Sequence, residues 1–162
     1  MEYDNIQHAQ LRQSYKAGAN WFYWIAGLTF VTSLIAFGGG GWRFLISLGS
    51  TQLIDGFGQV LANDLGTAAK VVGLVLDLIV IGLFVLFGWL ANQKHLWAYI
   101  VGMVAFTLDG LISLLFGDLI GVVAHAVVLY FLFRGFQAGR SLVSLEKAMA
   151  ERAAAPQPEP AV

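Results

Sequence analysis

Cysteine is absent from this 162-residue chain, and Asp, Glu, Lys and Arg together make up only 12% of it. Without cysteine there are no disulfides and no thiolate metal sites. A soluble domain of this length carries about a quarter charged residues, so so little charge argues against an ordinary water-soluble surface. Nine Lys and Arg against ten Asp and Glu leave a net charge of −1, too weak a field to gather nucleic acid. The three prolines all fall in the C-terminal APQPEPAV, so none interrupts what precedes it. No internal repeat is visible, which gives no support to a transporter built from inverted repeats. HExxH and a paired-His helix motif are missing, and GGGG at 38–41 lacks the Lys and Ser/Thr of a phosphate loop.

What the chain has in abundance is apolar sequence: 58% hydrophobic residues and a mean hydropathy of +0.72. This is the composition of a membrane protein. Residues 1–19 are polar and read as an N-terminal segment. The first apolar run, WFYWIAGLTFVTSLIAF, is too long and too aromatic for a signal peptide and reads as a retained span over 20–37. Further spans are expected at 71–90, 96–116 and 119–136, joined by tight turns at ANQKH and Gly117–Asp118. Between spans one and two, Leu53, Ile54, Phe57, Val60 and Leu61 recur at helical spacing opposite Gln52, Asp55, Gln59 and Asn63. With Ser50 or Thr51 as its cap, this predicts an amphipathic surface helix within 42–66. The fold class expected is therefore all-α, a four-helix integral membrane bundle over 20–138. A tail over 139–162 should be helical at first, with Leu142, Leu145 and Met149 on one side, and disordered at its end.

Charge sets an orientation. With both termini cytoplasmic, Arg12, Lys16, Lys94, Arg134, Arg140, Lys147 and Arg152 lie inside, leaving Arg43 and Lys70 outside. Trp21, Tyr23, Trp24, Trp89, Trp97 and Tyr99 are expected at the inner interface, and Trp42 and Phe44 at the outer one.

Three spans each carry one ionisable residue deep in apolar sequence: Asp77, Asp109 and His125. Counting in from the outer ends, each lies seven or eight residues deep, which is ~10–12 Å at 1.5 Å per residue. Antiparallel packing would let them meet. Gly73, Ala105 and Gly121 stand one turn before them and permit close helix approach. A carboxylate at a helix centre costs ~2.5–3.5 kcal/mol even on insertion scales, so a shared proton or a cationic His is expected. The first reading is a structural clasp between helices. A proton- or ion-handling site ranks second, and a metal site third. Intramembrane aspartyl proteolysis is not supported. It would need GxGD, whereas Phe-Thr-Leu precedes Asp109, and Asp77 sits in Val-Leu-Asp without the matching Tyr. Thr29, Thr32 and Ser33 either extend the polar level or bond their own backbone. Gly135 to Gly139 forms a GxxxG with dimerisation as its functional reading. Arg134 snorkels to the interface or contacts a lipid headgroup.

The stretches GSTQLIDGF, GMVAFTLDGLISLLFGDLIGVVAH and LYFLFRGFQA, spanning roughly Leu45 to Ala138, resemble a group of small four-span bacterial membrane proteins. The resemblance implies bacterial origin and architecture, with no activity attached. The expected protein is non-enzymatic, lacks a cofactor and sits in the bacterial cytoplasmic membrane. It is an accessory or oligomeric component whose partners are the lipid bilayer and either a second copy or another membrane protein. The competing function is a small ion- or proton-coupled carrier or channel.

Overall fold

The computed structural model describes residues 2–37, 67–115 and 117–155. Among these it is all helical: α1 (Glu2–Phe37), α2 (Thr67–Asn92), α3 (Leu96–Leu115) and α4 (Leu119–Ala154). Three of them, α2, α3 and α4, are long and apolar enough to cross a membrane. The expected amphipathic helix over 42–66, the Gly38 to Gly41 break and residues 156–162 of the tail lie outside the described residues.

The helices are longer than the apolar runs within them. α1 and α4 each have 36 residues, about 54 Å at 1.5 Å per residue, against a hydrocarbon core of about 30 Å. The polar N-terminal segment is thus continuous with the first apolar run, and the tail helix is continuous with the last. The two polar extensions are tied together by Arg152 and Asp4 at 3.5 Å. They are also tied by Glu146, which takes hydrogen bonds from Lys94 at 2.7 Å and His8 at 3.1 Å. The Lys94 bond, then that of His8, holds the Glu146 carboxyl below its ordinary range. Such half-exposed pairs stabilise by at most about 1 kcal/mol, so they set register more than they hold the fold.

Both turns follow from local chemistry. After α2, Lys94 takes a left-handed φ of 68°, and His95 N–H returns to the Leu90 carbonyl at 3.2 Å. After α3, Gly117 supplies φ 71°, where a side chain is disfavoured. Asp118 then caps α4, its carboxylate accepting from Gly121 N–H at 2.9 Å. Asp118 is therefore a turn residue, as its place beside Gly117 suggested.

Each helix packs on two neighbours, α1 on α2 and α4, and α3 on α4 and α2. The buried positions recur at steps of three and four: Tyr15, Ala19, Phe22, Ala26, Thr29 and Ser33 on α1, and Gly73, Asp77, Ile81, Phe84, Gly88 and Ala91 on α2. The same steps run through Tyr99, Gly102, Phe106, Asp109 and Ser113 on α3 and through Gly121, His125, Val128, Leu132, Gly135 and Gly139 on α4. A seven-residue period of this kind is what nearly aligned helices need to keep one seam facing inward. Leu, Val, Ile and Phe fill the opposite faces, which are exposed, as expected where lipid is the solvent.

Glycine decides where backbones touch. A Cβ on Gly135 would lie 2.6 Å from Gly18 Cα, and one on Gly139 would lie 2.6 Å from the Tyr15 ring. The GxxxG of α4 thus packs on α1 of the same chain, and that intrachain contact is a more economical account of the motif than dimerisation. α1 is tied to α2 and α3 as well: Tyr15 donates its hydroxyl to the Ala91 carbonyl, and Tyr99 donates to the Tyr15 carbonyl at 2.5 Å. Tyr99 is fully buried, whereas Trp24, Trp89 and Trp97 are exposed. The expectation that Tyr99 joins an interfacial aromatic belt is corrected: its hydroxyl has a carbonyl to satisfy inside the protein, so its ring can pack there. Trp21 is half-buried and stacks on Phe131 at 4.8 Å.

Candidate functional site

The site is best located from the aromatic layer beneath it. Phe22, Phe84 and Phe106 meet through centroid distances of 6.4 Å (Phe22 to Phe84) and 6.0 Å (Phe84 to Phe106). α1 and α2 run antiparallel, so counting seven residues on from Phe22 reaches Thr29 and seven back from Phe84 reaches Asp77. Both residues are buried, at 1% and 2% exposure. Counting from the crossing of Gly18 and Gly135 brings Thr29 level with His125 in the same way. His125 in turn is bonded to Asp109. Asp109 and His125 are thus in direct contact, and Thr29 and Asp77 lie seven residues from the same aromatic layer on α1 and α2, all toward the end of the molecule nearer the α3–α4 turn.

Asp109 and His125 are joined directly. His125 Nε2 lies 2.9 Å from Asp109 Oδ2, and His125 Nδ1 lies 2.7 Å from the Gly121 carbonyl. A carbonyl only accepts, so Nδ1 carries a proton. One more proton must then lie between Nε2 and Oδ2, because a bare nitrogen lone pair would otherwise face a carboxylate. Whether the pair is imidazolium with carboxylate or imidazole with carboxylic acid, its total charge is zero. That is the state a low-dielectric interior favours. The imidazole stacks on Phe106 at 4.5 Å and 23°. Gly110 leaves room beside it, since a Cβ there would press to 3.2 Å of the His125 ring.

Asp77 is carried by α2, which borders α1 and α3 and stands diagonal to α4. Among the described residues, no three His, Asp or Glu side chains gather at a spacing that could hold a metal ion. The hydroxyls on α1 divide. Thr32 bonds its own backbone, donating to the Leu28 carbonyl at 2.8 Å. Thr29 Oγ1 and Ser33 Oγ are buried and have no hydrogen-bond partner among the described residues. Ser113, fully buried one turn beyond Asp109, was not singled out from the sequence. Only the seven-residue step from Phe106 marks it. Arg134 is exposed, with its guanidinium 5.9 Å over the Tyr130 ring.

No family model, curated protein or solved structure matches the chain.

Proposed function

We propose that the chain is a non-enzymatic integral membrane protein of four spans, with Asp109 and His125 as the clasp that fixes α3 against α4. The observation that carries this reading is the closed hydrogen-bonding of His125, both of whose ring nitrogens are taken by the protein itself. A group so occupied is suited to holding helices together. α1 is the first span: it lies along α2 and α4 and turns Trp24, Phe30, Val31 and Leu34 outward. Its buried Thr29, Thr32 and Ser33 lower its apolar content on the side that lipid does not meet. In the bacterial cytoplasmic membrane, both termini face the cytoplasm, where Lys and Arg concentrate. Arg134 reaches the headgroups from the same side. The protein acts as an accessory or oligomeric membrane component, with a second copy or another membrane protein as its partner.

The discriminating experiment is Asp109→Asn. As a clasp variant it keeps the shape but loses charge complementarity. Its Tm in detergent should fall by a few degrees, roughly the effect of 1 kcal/mol, with proteoliposome ion flux equal to that of the parent chain. An unchanged Tm together with lost pH-dependent flux would overturn the clasp in favour of a carrier. Topology is tested separately. Because the chain has no cysteine of its own, single cysteines report cleanly. A cysteine at Gln93 should react with an impermeant maleimide only from the cytoplasm, and one at Gln59 only from outside. The reverse pattern would sink the orientation.

A further inference from the structure

We propose that the groove on α4 lined by Gln137, Arg140, Ser141 and Ser144 binds the headgroup of an anionic phospholipid, with Arg134 as a second cation on its membrane side. The inference rests on the membrane reading above and deepens it by naming the ligand and the residues that hold it.

The first observation is the groove and its chemistry. It has a volume of about 460 Å³ and is lined by those four side chains. Gln137, Ser141 and Ser144 follow one another at steps of four and three, so they form one stripe along the helix. Arg140 stands beside that stripe, three residues from Gln137 and four from Ser144. The Gln137 amide, the Arg140 guanidinium and the Ser141 hydroxyl are all hydrogen-bond donors. Ser144 donates its own proton to the Ser141 carbonyl at 2.9 Å, which leaves its oxygen as an acceptor. Such a set suits a phosphodiester esterified to an alcohol that keeps free hydroxyls.

The second observation is depth. Gly139 stands among the lining residues, and a Cβ there would lie 2.6 Å from the Tyr15 ring and 2.7 Å from the Leu96 side chain. Tyr15 in turn bonds the Ala91 carbonyl. The groove is therefore level with the end of α2 and the start of α3, where Trp89 and Trp97 are exposed. Exposed tryptophans of this kind sit at the headgroup level of a bilayer. Arg134 precedes Gly139 by five residues, about 7.5 Å further into the membrane, and is exposed between Tyr130 and Phe133.

The third observation is charge. No Asp or Glu occurs from Asn5 to Phe37, from Leu78 to Leu108 or from Leu119 to Leu145. Among the described residues, no carboxylate pairs with Arg134 or Arg140. Their guanidinium groups lie over the Tyr130 and Phe136 rings instead, at 5.9 Å and 6.0 Å. Two cations at the headgroup level without a counter-charge attract an anionic lipid. A zwitterionic headgroup brings an ammonium of its own, which the arginines repel, so the site discriminates between the two classes.

The test uses the full chain in micelles of an uncharged detergent. Its Tm is measured as phosphatidylglycerol or phosphatidylcholine is titrated in. Phosphatidylglycerol should give a saturable rise of roughly 3–6 °C at ten times the Kd, and phosphatidylcholine little or none. Arg140→Gln alters an exposed side chain, so it should match the parent Tm in phosphatidylcholine. Its response to phosphatidylglycerol should need at least tenfold more lipid. Lys147→Gln makes the same charge change on the same helix outside the groove and should keep the full response. If Arg140→Gln fails to fold, Ser141→Leu, which fills the groove, should lose the response in its place. Equal Tm values in the two lipids overturn the proposal. An equal loss in Lys147→Gln does so too, because it would reveal general charge attraction. The same rise with inorganic phosphate at matched ionic strength would assign the groove to a free anion and overturn the lipid. A chain that stays in solution without detergent would remove the membrane reading and this inference together. One that needs detergent yet ignores phosphatidylglycerol overturns this inference alone.

Discussion

Gly135→Ala is expected to lower the Tm in detergent by roughly 5–10 °C, although alanine is the better helix former. The new Cβ would sit 2.6 Å from Gly18 Cα and 2.9 Å from the Tyr99 hydroxyl. The first of these is backbone on a facing helix, so no rotamer change can relieve it, and α1 and α4 must move apart. Overpacking costs about 1–3 kcal/mol, and an unyielding backbone contact belongs at the upper end. The helix-propensity gain of about 0.5–1 kcal/mol offsets only part of this. At roughly 2–4 °C per kcal/mol for a chain of this size, the net effect is the stated shift. Gly27→Ala and Gly82→Ala supply the opposite sign. Nothing lies within 4 Å of a Cβ at either position, so both should be neutral or raise the Tm. If Gly135→Ala instead left the Tm unchanged and shifted an oligomer distribution, the glycine motif would serve contact between copies after all.

The second large effect is expected at His125. His125→Ala should cost about 3 kcal/mol, or roughly 6–12 °C in Tm. An interhelical hydrogen bond in a membrane contributes only about 1–2 kcal/mol. The rest comes from the lost stack on Phe106, about 0.5–1.5 kcal/mol, and from the cavity left by the ring. The decisive comparison is a double variant. With Asp109→Leu and His125→Leu together, no buried charge is left behind, and replacing both partners of a buried pair by apolar residues is often nearly neutral. The double variant should therefore recover much of the stability that His125→Ala loses. Failure to recover would mean that the pair supplies more than cohesion, and would point back to a functional proton between Nε2 and Oδ2.

The local order of this chain is a matter of sequence. Apolar runs of near-membrane length, an ANQKH turn, a Gly117–Asp118 turn and ionisable residues counted inward from those turns require nothing beyond 1.5 Å of rise per residue. Those counts already put Asp109 and His125 at matching depths on either side of one turn, and the structure joins them at 2.9 Å. Other features depend on which faces meet. Tyr99 has the composition of an interfacial aromatic, yet it is buried because the Tyr15 carbonyl lies within reach of its hydroxyl. The Gly135 to Gly139 motif has the spacing of a dimer contact, yet it packs on Gly18 and Tyr15 of its own chain. Thr29, Thr32 and Ser33 are alike in sequence, yet only Thr32 bonds its own backbone. The physical reason is the range of the interactions. Helix rise and turn chemistry act over a few neighbouring residues and can be read along the chain. Burial, close backbone approach and the satisfaction of a hydroxyl depend on partners many residues away, and only the packing of α1 against α2 and α4 brings those partners to hand.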